Sequence, residues 1–351
     1  MPTLAETASQ LLRCDRGALA ADGHPRAILA WLRAEGITPG DESGRDVHRM
    51  LITTPGLAKF LSAVILGAST FSEFLADGTP FPQACRQRGL LVGVTVDTGR
   101  SAIPRGEGAL VTEGLDGLAE RLARYAAAGA AFARWRAVID VDHAHDLAIS
   151  ANAHGLARFA VLAQEAGLVP IVSAEVLTKG THPIHRTALV SERTLNAVFS
   201  QLALHRVDPE SLILATSFIA PGPSAPPATS EEVAAATIDV LRACVPASVP
   251  SVALLSSGHP VQQACAHLAA TLARPQSVPW TRTFCFGRAL TNPAVRAWGG
   301  RPERVHDGQR ALLTWSARAA NAMAGSGTSA TRSSGSAPCR TNPMPGRLAT
   351  S

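Results

Sequence analysis

Lysine is almost missing from this chain. It occurs only at Lys59 and Lys179 in 351 residues, so nearly all of the 32 basic residues are arginine. Few side chains are therefore available for chemistry that needs an amine nucleophile, and arginine, which stays protonated, does not substitute. Tyrosine is scarcer still, with Tyr125 alone. The six cysteines, at 14, 85, 244, 265, 285 and 339, are far apart and form no C-x-x-C pair. That argues against a zinc finger or a disulfide framework and suits thiols in a reducing compartment. No apolar run is long enough to span a membrane. The N-terminal MPTLAETASQLLRC carries Glu6 within an amphipathic pattern and lacks the continuous apolar core of a signal peptide. A cytoplasmic protein with no membrane partner is expected. The net charge is +5, but the basic residues are scattered among acids without a Lys/Arg run, so nucleic acid is not an expected partner.

What the chain has in quantity is apolar residues, 46% against 17% charged, enough for a large core in one α/β domain. Eight apolar segments read as strands: 18–21, 60–66, 90–97, 131–139, 168–176, 211–218, 252–257 and 281–287. Amphipathic helices are expected between them. They include an opening helix through Leu12, then 26–35, one from Asp46 into TTPGL at 53–57, a short one ending at Gly89, one in the 112–129 segment, 146–166 with Asp146 as its cap, 191–205, 230–243 and 260–273. Helices at about 290–297 and 306–323 finish the pattern. Apolar strands alternating with helices predict a parallel sheet covered by helices, and a count of eight favours a closed (β/α)₈ TIM barrel over a doubly wound open sheet. The barrel is assigned to residues 1–324. The Ser/Gly/Thr/Pro-rich tail 325–351 has no hydrophobic period and is expected to be disordered.

The segment 112–138, TEGLDGLAERLARYAAAGAAFARWRAV, organises the rest. Leu115, Leu118, Ala119, Leu122 and Tyr125 fall at helical spacing and Gly129 ends the run. In the strand that follows, alternation puts Arg134 and Arg136 on one face and Ala133, Trp135 and Ala137 on the other. Two cations on one strand face need anionic company. This segment closely resembles the GLDGLAER…FAKWR segment of the class I fructose-bisphosphate aldolases. So do ALAAD at 18–22, TTPGL at 53–57, NAHGLARFAVLAQEAGLVPIV at 152–172, VALLSSG at 252–258 and FCFGRALTNPAVRAWGG at 284–300, all in the family's order. The resemblance runs from about residue 5 to 323. It implies the barrel, a phosphorylated small-molecule ligand and assembly as a homo-oligomer, commonly a tetramer.

The resemblance also puts the family's catalytic positions on residues of this chain. The lysine that forms the Schiff base in the family falls on Ala215, in ILATSFIAPG, and a methyl group cannot condense with a carbonyl. Arg134 takes the place of the strand-four lysine, Thr95 of the strand-three lysine and Ser173 of the first strand-five glutamate. Asp22, Arg136 and Glu175 are retained as candidate catalytic residues, with Arg136 expected to meet an anionic ligand group and Asp22 a hydroxyl or a cation. An ion pair between Arg136 and a carboxylate in the barrel mouth is the structural alternative. The phosphate site implied by the resemblance is Ser256, Ser257 and Gly258 in loop seven with Gly287 and Arg288 in loop eight, where backbone amides and an arginine suit a dianion. The family's second phosphate pocket uses serines where this chain has Gly23, His24, Pro25 and Arg26. The terminal tyrosine of the family's tail has no counterpart.

Lys179 lies several residues beyond the fifth strand and reads as a solvated loop lysine, while Lys59 precedes the second strand at the wrong end. Asp142, His143, His145 and Asp146 follow strand four and His182 and His185 follow strand five. They would suit metal-assisted carbonyl chemistry, but their spacing matches no zinc pattern, so a polar loop and helix cap is preferred. No metal and no cofactor is expected. Three functions remain open: a retooled enzyme using Asp22, Glu175 and Arg136 without an imine, a pseudoenzyme that senses a phosphorylated ligand or binds a partner, and an active aldolase with a relocated lysine.

Overall fold

The computed structural model describes residues 3–12, 15–40, 42–274 and 278–324; the tail expected to be disordered, 325–351, lies outside them. Eight parallel strands close into a barrel: β1 (Gly17–Ala21), β2 (Leu61–Gly67), β3 (Leu91–Thr95), β4 (Phe132–Asp140), β5 (Val169–Leu177), β6 (Ile213–Ser217), β7 (Ser251–Leu255) and β8 (Thr281–Phe286). Each pairs with its sequence neighbours, and β8 pairs with β1, with Ala18 opposite Cys285. The helices occur where the apolar period placed them, with some bounds shifted: the one expected from Asp46 into TTPGL spans Ser43–Ile52. The helix expected at 191–205 begins at Ile184, and the long helix Asp146–Glu165 is N-capped by His145 rather than Asp146. The Asp146 carboxylate instead accepts a bond from Arg193 Nη2 at 2.5 Å. Gly167, with φ +73°, follows this helix as expected.

Side-chain alternation divides the barrel strands between two cores. Outward residues such as Trp135, Leu214 and Phe284 pack against the surrounding helices, and the indole of Trp135 stacks on Phe159 with ring centroids 5.9 Å apart. Inward residues Ala18, Ala63, Ile65, Phe132, Ile171, Ile213, Ala215, Ala253 and Cys285 form a second cluster, joined from below by Leu11 and Leu12 of the N-terminal segment. Phe132 fills the lumen beside Gly93, where a Cβ would lie 2.2 Å from its ring. Higher up, the inner residues are small. In register across the sheet, Ser173 faces Ala215 and Ala215 faces Ala253, which leaves room for a long side chain from β4.

The short helix Ala68–Phe71 was not expected, and neither was a hairpin. After β3 ends at Thr95, two short antiparallel strands, Gly99–Ala102 and Leu110–Glu113, form a hairpin beside β4. It is held by Asn152, whose Oδ1 accepts from Thr112 N at 3.1 Å and whose Nδ2 donates to Leu110 O at 2.9 Å. Thr112 Oγ1 in turn donates to Arg136 O at 2.7 Å.

Candidate functional site

The C-terminal ends of the strands surround a cavity of about 530 Å³, lined among others by Asp22, His48, Arg134, Arg136, Glu175, Ser256, Arg100 and Arg288. In a (β/α)₈ barrel this is the face where reacting groups gather. Arg134 occupies its floor. The guanidinium is almost fully buried; Nη1 lies 3.2 Å from Asp22 Oδ2 and Nη2 lies 2.7 Å from Glu175 Oε1. Nη2 also donates to Ser173 Oγ at 3.1 Å, and Ser173 Oγ donates to Glu175 Oε1 at 3.0 Å. Thr95 Oγ1 donates to Asp22 Oδ2 at 2.5 Å. Asp22, Glu175, Thr95, Ser173 and Arg134, separated by up to 153 positions in sequence, thus form one hydrogen-bonded cluster around one cation.

Burial by itself pushes the Asp22 carboxyl up, but Arg134, Arg136 and the Thr95 hydroxyl together hold it below the usual carboxylate value. Burial opposes the charge on Arg134, which Asp22 and then Glu175 more than restore, so its proton is held more tightly than in water. Cys285, also on the cavity wall, is pushed up to about 11 by burial against the pull of Arg134. His48 lies against the cavity with Nδ1 3.3 Å from Thr70 Oγ1, and burial lowers it to about 4, so its ring is neutral at pH 7.

Arg136 does share a strand face with Arg134, but its principal partner is a carboxylate the sequence did not single out. Its Nε donates to Asp97 Oδ2 at 3.0 Å and its Nη2 to Oδ1 at 2.9 Å, while Nη1 stands 4.0 Å from Asp22. Burial opposes the charge on Arg136, and the nearby Asp22 carboxylate, then this two-point pair with Asp97, more than offset it, so Arg136 holds its proton more tightly than in water. Asp97 could have been found: it lies two residues past a strand end, where the barrel's reacting groups cluster.

The rim is different in character. Ser256, Ser257 and Gly258 turn the chain after β7, with Ser257 at φ 46° and Gly258 at φ 89°. A non-glycine residue in the left-handed region is held there against its own preference, a condition that occurs at ligand loops. Opposite, Gly287 caps the helix Arg288–Trp298, and a Cβ on Gly287 would lie 3.2 Å from Ala20 O. The first amides of that helix point out of it unpaired by the helix itself, and its dipole favours an anion. Arg288 is exposed and, among the described residues, has no ion-pair partner. Gly23 and His24 also line the cavity, and His24 Nδ1 accepts from Arg26 N at 3.3 Å as a helix cap.

Neither lysine lines this cavity. Lys59 ends a turn before β2, at the opposite end of the barrel. Lys179 borders a separate cleft of about 160 Å³ with His143. The other loop histidines are dispersed: His145 faces Glu107 at 3.9 Å, His182 is buried against Thr187 Oγ1 at 3.2 Å, and His185 is exposed on the next helix. Among the described residues no three His, Cys, Asp or Glu side chains come together as a metal site. No helix is long and apolar enough to cross a membrane, among the described residues.

The chain matches the family model described as "Fructose-bisphosphate aldolase class-I" over residues 3–340. It is 39% identical to the fructose-bisphosphate aldolase cytoplasmic isozyme of Cicer arietinum over 302 residues, covering 85% of this chain and 84% of that one. It is 38% identical to a probable fructose-bisphosphate aldolase class 1 of Xylella fastidiosa over 298 residues, with coverages of 84% and 89%. Among solved structures, fructose-bisphosphate aldolase from Plasmodium falciparum, crystallised with TRAP and a small-molecule inhibitor, superposes with a TM-score of 0.89 at 33% identity, covering 93% of this chain and 95% of that one.

Proposed function

The chain belongs to the class I fructose-bisphosphate aldolase family, and we propose that it binds a phosphorylated sugar or triose at the barrel mouth without forming an imine with it. One observation carries this reading. The floor of the cavity holds a guanidinium committed to two carboxylates, and no lysine reaches the cavity. A Schiff base needs an amine that can lose its proton inside the site; a guanidinium in two ion pairs does not supply one. The phosphate would sit between Ser256, Ser257 and Gly258 on one side and Gly287 and Arg288 on the other, against backbone amides and a cation that has no internal partner. Residues 1–324 act in this proposal as one barrel domain, cytoplasmic and assembled with further copies of itself.

A second reading, turnover by acid/base or carbonyl chemistry with Asp22, Glu175 and Arg136, has one observation in its favour. The Glu175 side chain is 19% exposed at the cavity while only its Oε1 is engaged by Arg134 and Ser173. Glu175→Gln would then abolish product formation while leaving phosphate binding in place. Ligand sensing without turnover predicts no product from the wild type at all.

The test is incubation with dihydroxyacetone phosphate and borohydride, followed by intact mass, together with thermal-shift titration by the unreduced ligand. Expected are no covalent adduct and a protein stabilised by about 2.7 kcal/mol when ligand reaches one hundred times its Kd. An adduct at Lys179 or Lys59 would restore an active aldolase with a relocated lysine. Absence of stabilisation would leave the family fold without its ligand.

A further inference from the structure

Away from the barrel mouth, two histidines meet on the outer helical layer. His154 lies on the helix Asp146–Glu165, and His205 is the C-cap of the next helix, Ile184–Leu204. Their ring centroids are 5.1 Å apart, with the planes at 60°. One residue holds both rings. His205 Nδ1 stands 2.9 Å from Gln201 O, and His154 Nδ1 stands 3.3 Å from Gln201 Oε1. Both partners are carbonyl oxygens, which only accept, so each Nδ1 carries the proton and donates it. Each Nε2 is left with its lone pair, and among the described residues neither has a hydrogen-bond partner. His154 is exposed and His205 half-buried, so the pair is reached from solvent. The other close pair of histidines, His259 and His267, also has its centroids 5.1 Å apart, but both of its Nε2 atoms are buried.

The turn that carries His205 is fastened to the first helix. Gln164 Nε2 donates to Asp208 O at 2.8 Å, and Asp208 N donates to Gln164 Oε1 at 3.0 Å. The buried Val207 returns its amide to Leu202 O at 3.0 Å. Arg206, between the two, is held at φ 57°, a conformation a non-glycine residue keeps only where its surroundings impose it. The two rings therefore face each other across a fixed helix pair.

We infer that His154 and His205 form a two-histidine site for a divalent transition metal of the Zn²⁺, Ni²⁺ or Cu²⁺ class, with water completing its coordination. An imidazole that gives its Nδ1 proton to an oxygen is fixed in the tautomer and orientation that offer Nε2 to a metal. The spacing agrees. A tetrahedral Zn²⁺ bound at about 2.0–2.1 Å by Nε2 of both rings sets the ring centres about 5 Å apart. Among the described residues no third His, Cys, Asp or Glu joins the pair, so the site selects ions that favour nitrogen over Mg²⁺ and Ca²⁺, which favour oxygen. The metal would pin two helices of the outer layer to one another, apart from the phosphate ligand proposed at the mouth.

The test is calorimetric titration of the full-length, untagged protein with ZnCl₂ and NiCl₂, with MgCl₂ and CaCl₂ as controls, and X-ray absorption at the zinc edge. Expected are one Zn²⁺ or Ni²⁺ per chain, no binding of Mg²⁺ or Ca²⁺, and a zinc spectrum with two imidazole ligands. Gln201→Leu frees the His154 ring and weakens the metal by about tenfold or more; His154→Gln and His205→Gln each weaken it at least as much. His259→Gln leaves the affinity unchanged. Zn²⁺ affinity that survives the double variant His154→Gln/His205→Gln, or a spectrum without two imidazoles, overturns the site, as does a wild type that takes up neither metal. One ion per two chains would overturn it as a site of the single chain and assign the same rings to a bridge between copies. Both side chains lie at the surface and the helix cap at His205 is made by its backbone, so the variants are expected to fold; matching thermal transitions without metal check this.

Discussion

Replacing Arg134 by methionine keeps the length of the side chain and removes its charge. Asp22 and Glu175 would then face one another across the barrel floor with Arg136, 4.0 Å from Asp22 and held by Asp97, as the nearest cation. Taking one partner from a buried ion pair costs about 3–5 kcal/mol, because the remaining charge stays buried without compensation. With an unfolding entropy of about 2.1 cal/mol/K per residue over roughly 300 ordered residues, that loss lowers the thermal midpoint by about 5–8 °C. The effect depends on pH in a defined direction. In the wild type the Asp22 carboxyl is held below its ordinary value, so it contributes stability that is present above its unfolded pKa of about 3.9 and is lost as pH falls through the lower folded value. In the variant, burial acts on Asp22 without Arg134 to oppose it and pushes the carboxyl upward. The variant therefore gains on the wild type as the solution is acidified. Urea unfolding of both proteins at several pH values between 8 and 4 measures the gap, which is expected to be largest at pH 8 and to shrink toward pH 4. A gap below about 1 kcal/mol at pH 8, or one of constant size across the range, would refute the view that Arg134 neutralises these acids. Adding Asp22→Asn to Arg134→Met should return part of the lost stability, since the two residues are coupled.

His48 and His267 are each lowered to about 4 by burial, so unfolding lets both take up protons. Stability should fall as pH drops from about 6.5 toward 4, by about 3 kcal/mol for His48 alone, and His48→Gln should flatten that part of the profile in urea unfolding. Ser257 sits at φ 46°, a conformation that costs an ordinary residue about 1–2 kcal/mol; Ser257→Gly should raise the urea midpoint slightly, and a lower midpoint would show that the serine hydroxyl matters more than the strain. A Cβ at Gly93 would meet the Phe132 ring at 2.2 Å, so Gly93→Ala should cost about 1–3 kcal/mol through overpacking, again read from urea unfolding. Trp135 is fully buried and stacked on Phe159; Trp135→Ala should destabilise by about 3–5 kcal/mol, far more than Trp135→Phe.

The barrel strands were legible because strands buried on both faces are short apolar runs, and LLVGVTVD or LVPIVSAEV between amphipathic helices has few other uses. Their ends were less so. β3 was expected to continue to Asp97 but leaves the sheet at Thr95, and β7 stops at Leu255, two residues before the expected end. Both differences matter, since Asp97 turns back onto Arg136 and Ser256–Gly258 form the rim. The hairpin 99–113 left no signal because its strands, GRSA and LVTE, are mostly exposed and carry no long alternation. Asn152, which ties it down, lies on a helix forty residues away. The pairing of Arg134 and Arg136 on one face followed from strand period alone. That Arg134 bridges Asp22 and Glu175 did not, because it depends on three strands meeting around a lumen emptied by Ser173, Ala215 and Ala253.

The distribution of charge separates the floor of this cavity from its rim. On the floor, Asp22, Asp97 and Glu175 face Arg134 and Arg136, and each arginine is held by at least one acid. Asp22 is held in its charged form, both arginines keep their protons, the Cys285 thiol is kept protonated with a value of about 11, and His48 is kept neutral with a value of about 4. A group that moves protons at neutral pH works best with a pKa near it, and none of these four kinds of group has been tuned that way. At the rim the order is reversed, with Arg288, Arg100 and Lys179 exposed and, among the described residues, without acids at ion-pair distance. An anionic ligand gains most where cations are unpaired, because there it displaces water rather than another carboxylate. The paired arginines of the floor and the unpaired cations of the rim therefore divide the cavity into two parts. In the function proposed above, the paired floor closes the centre of the barrel electrostatically and the edge is left to hold phosphate, so that ligand binding without an imine is the property this arrangement favours.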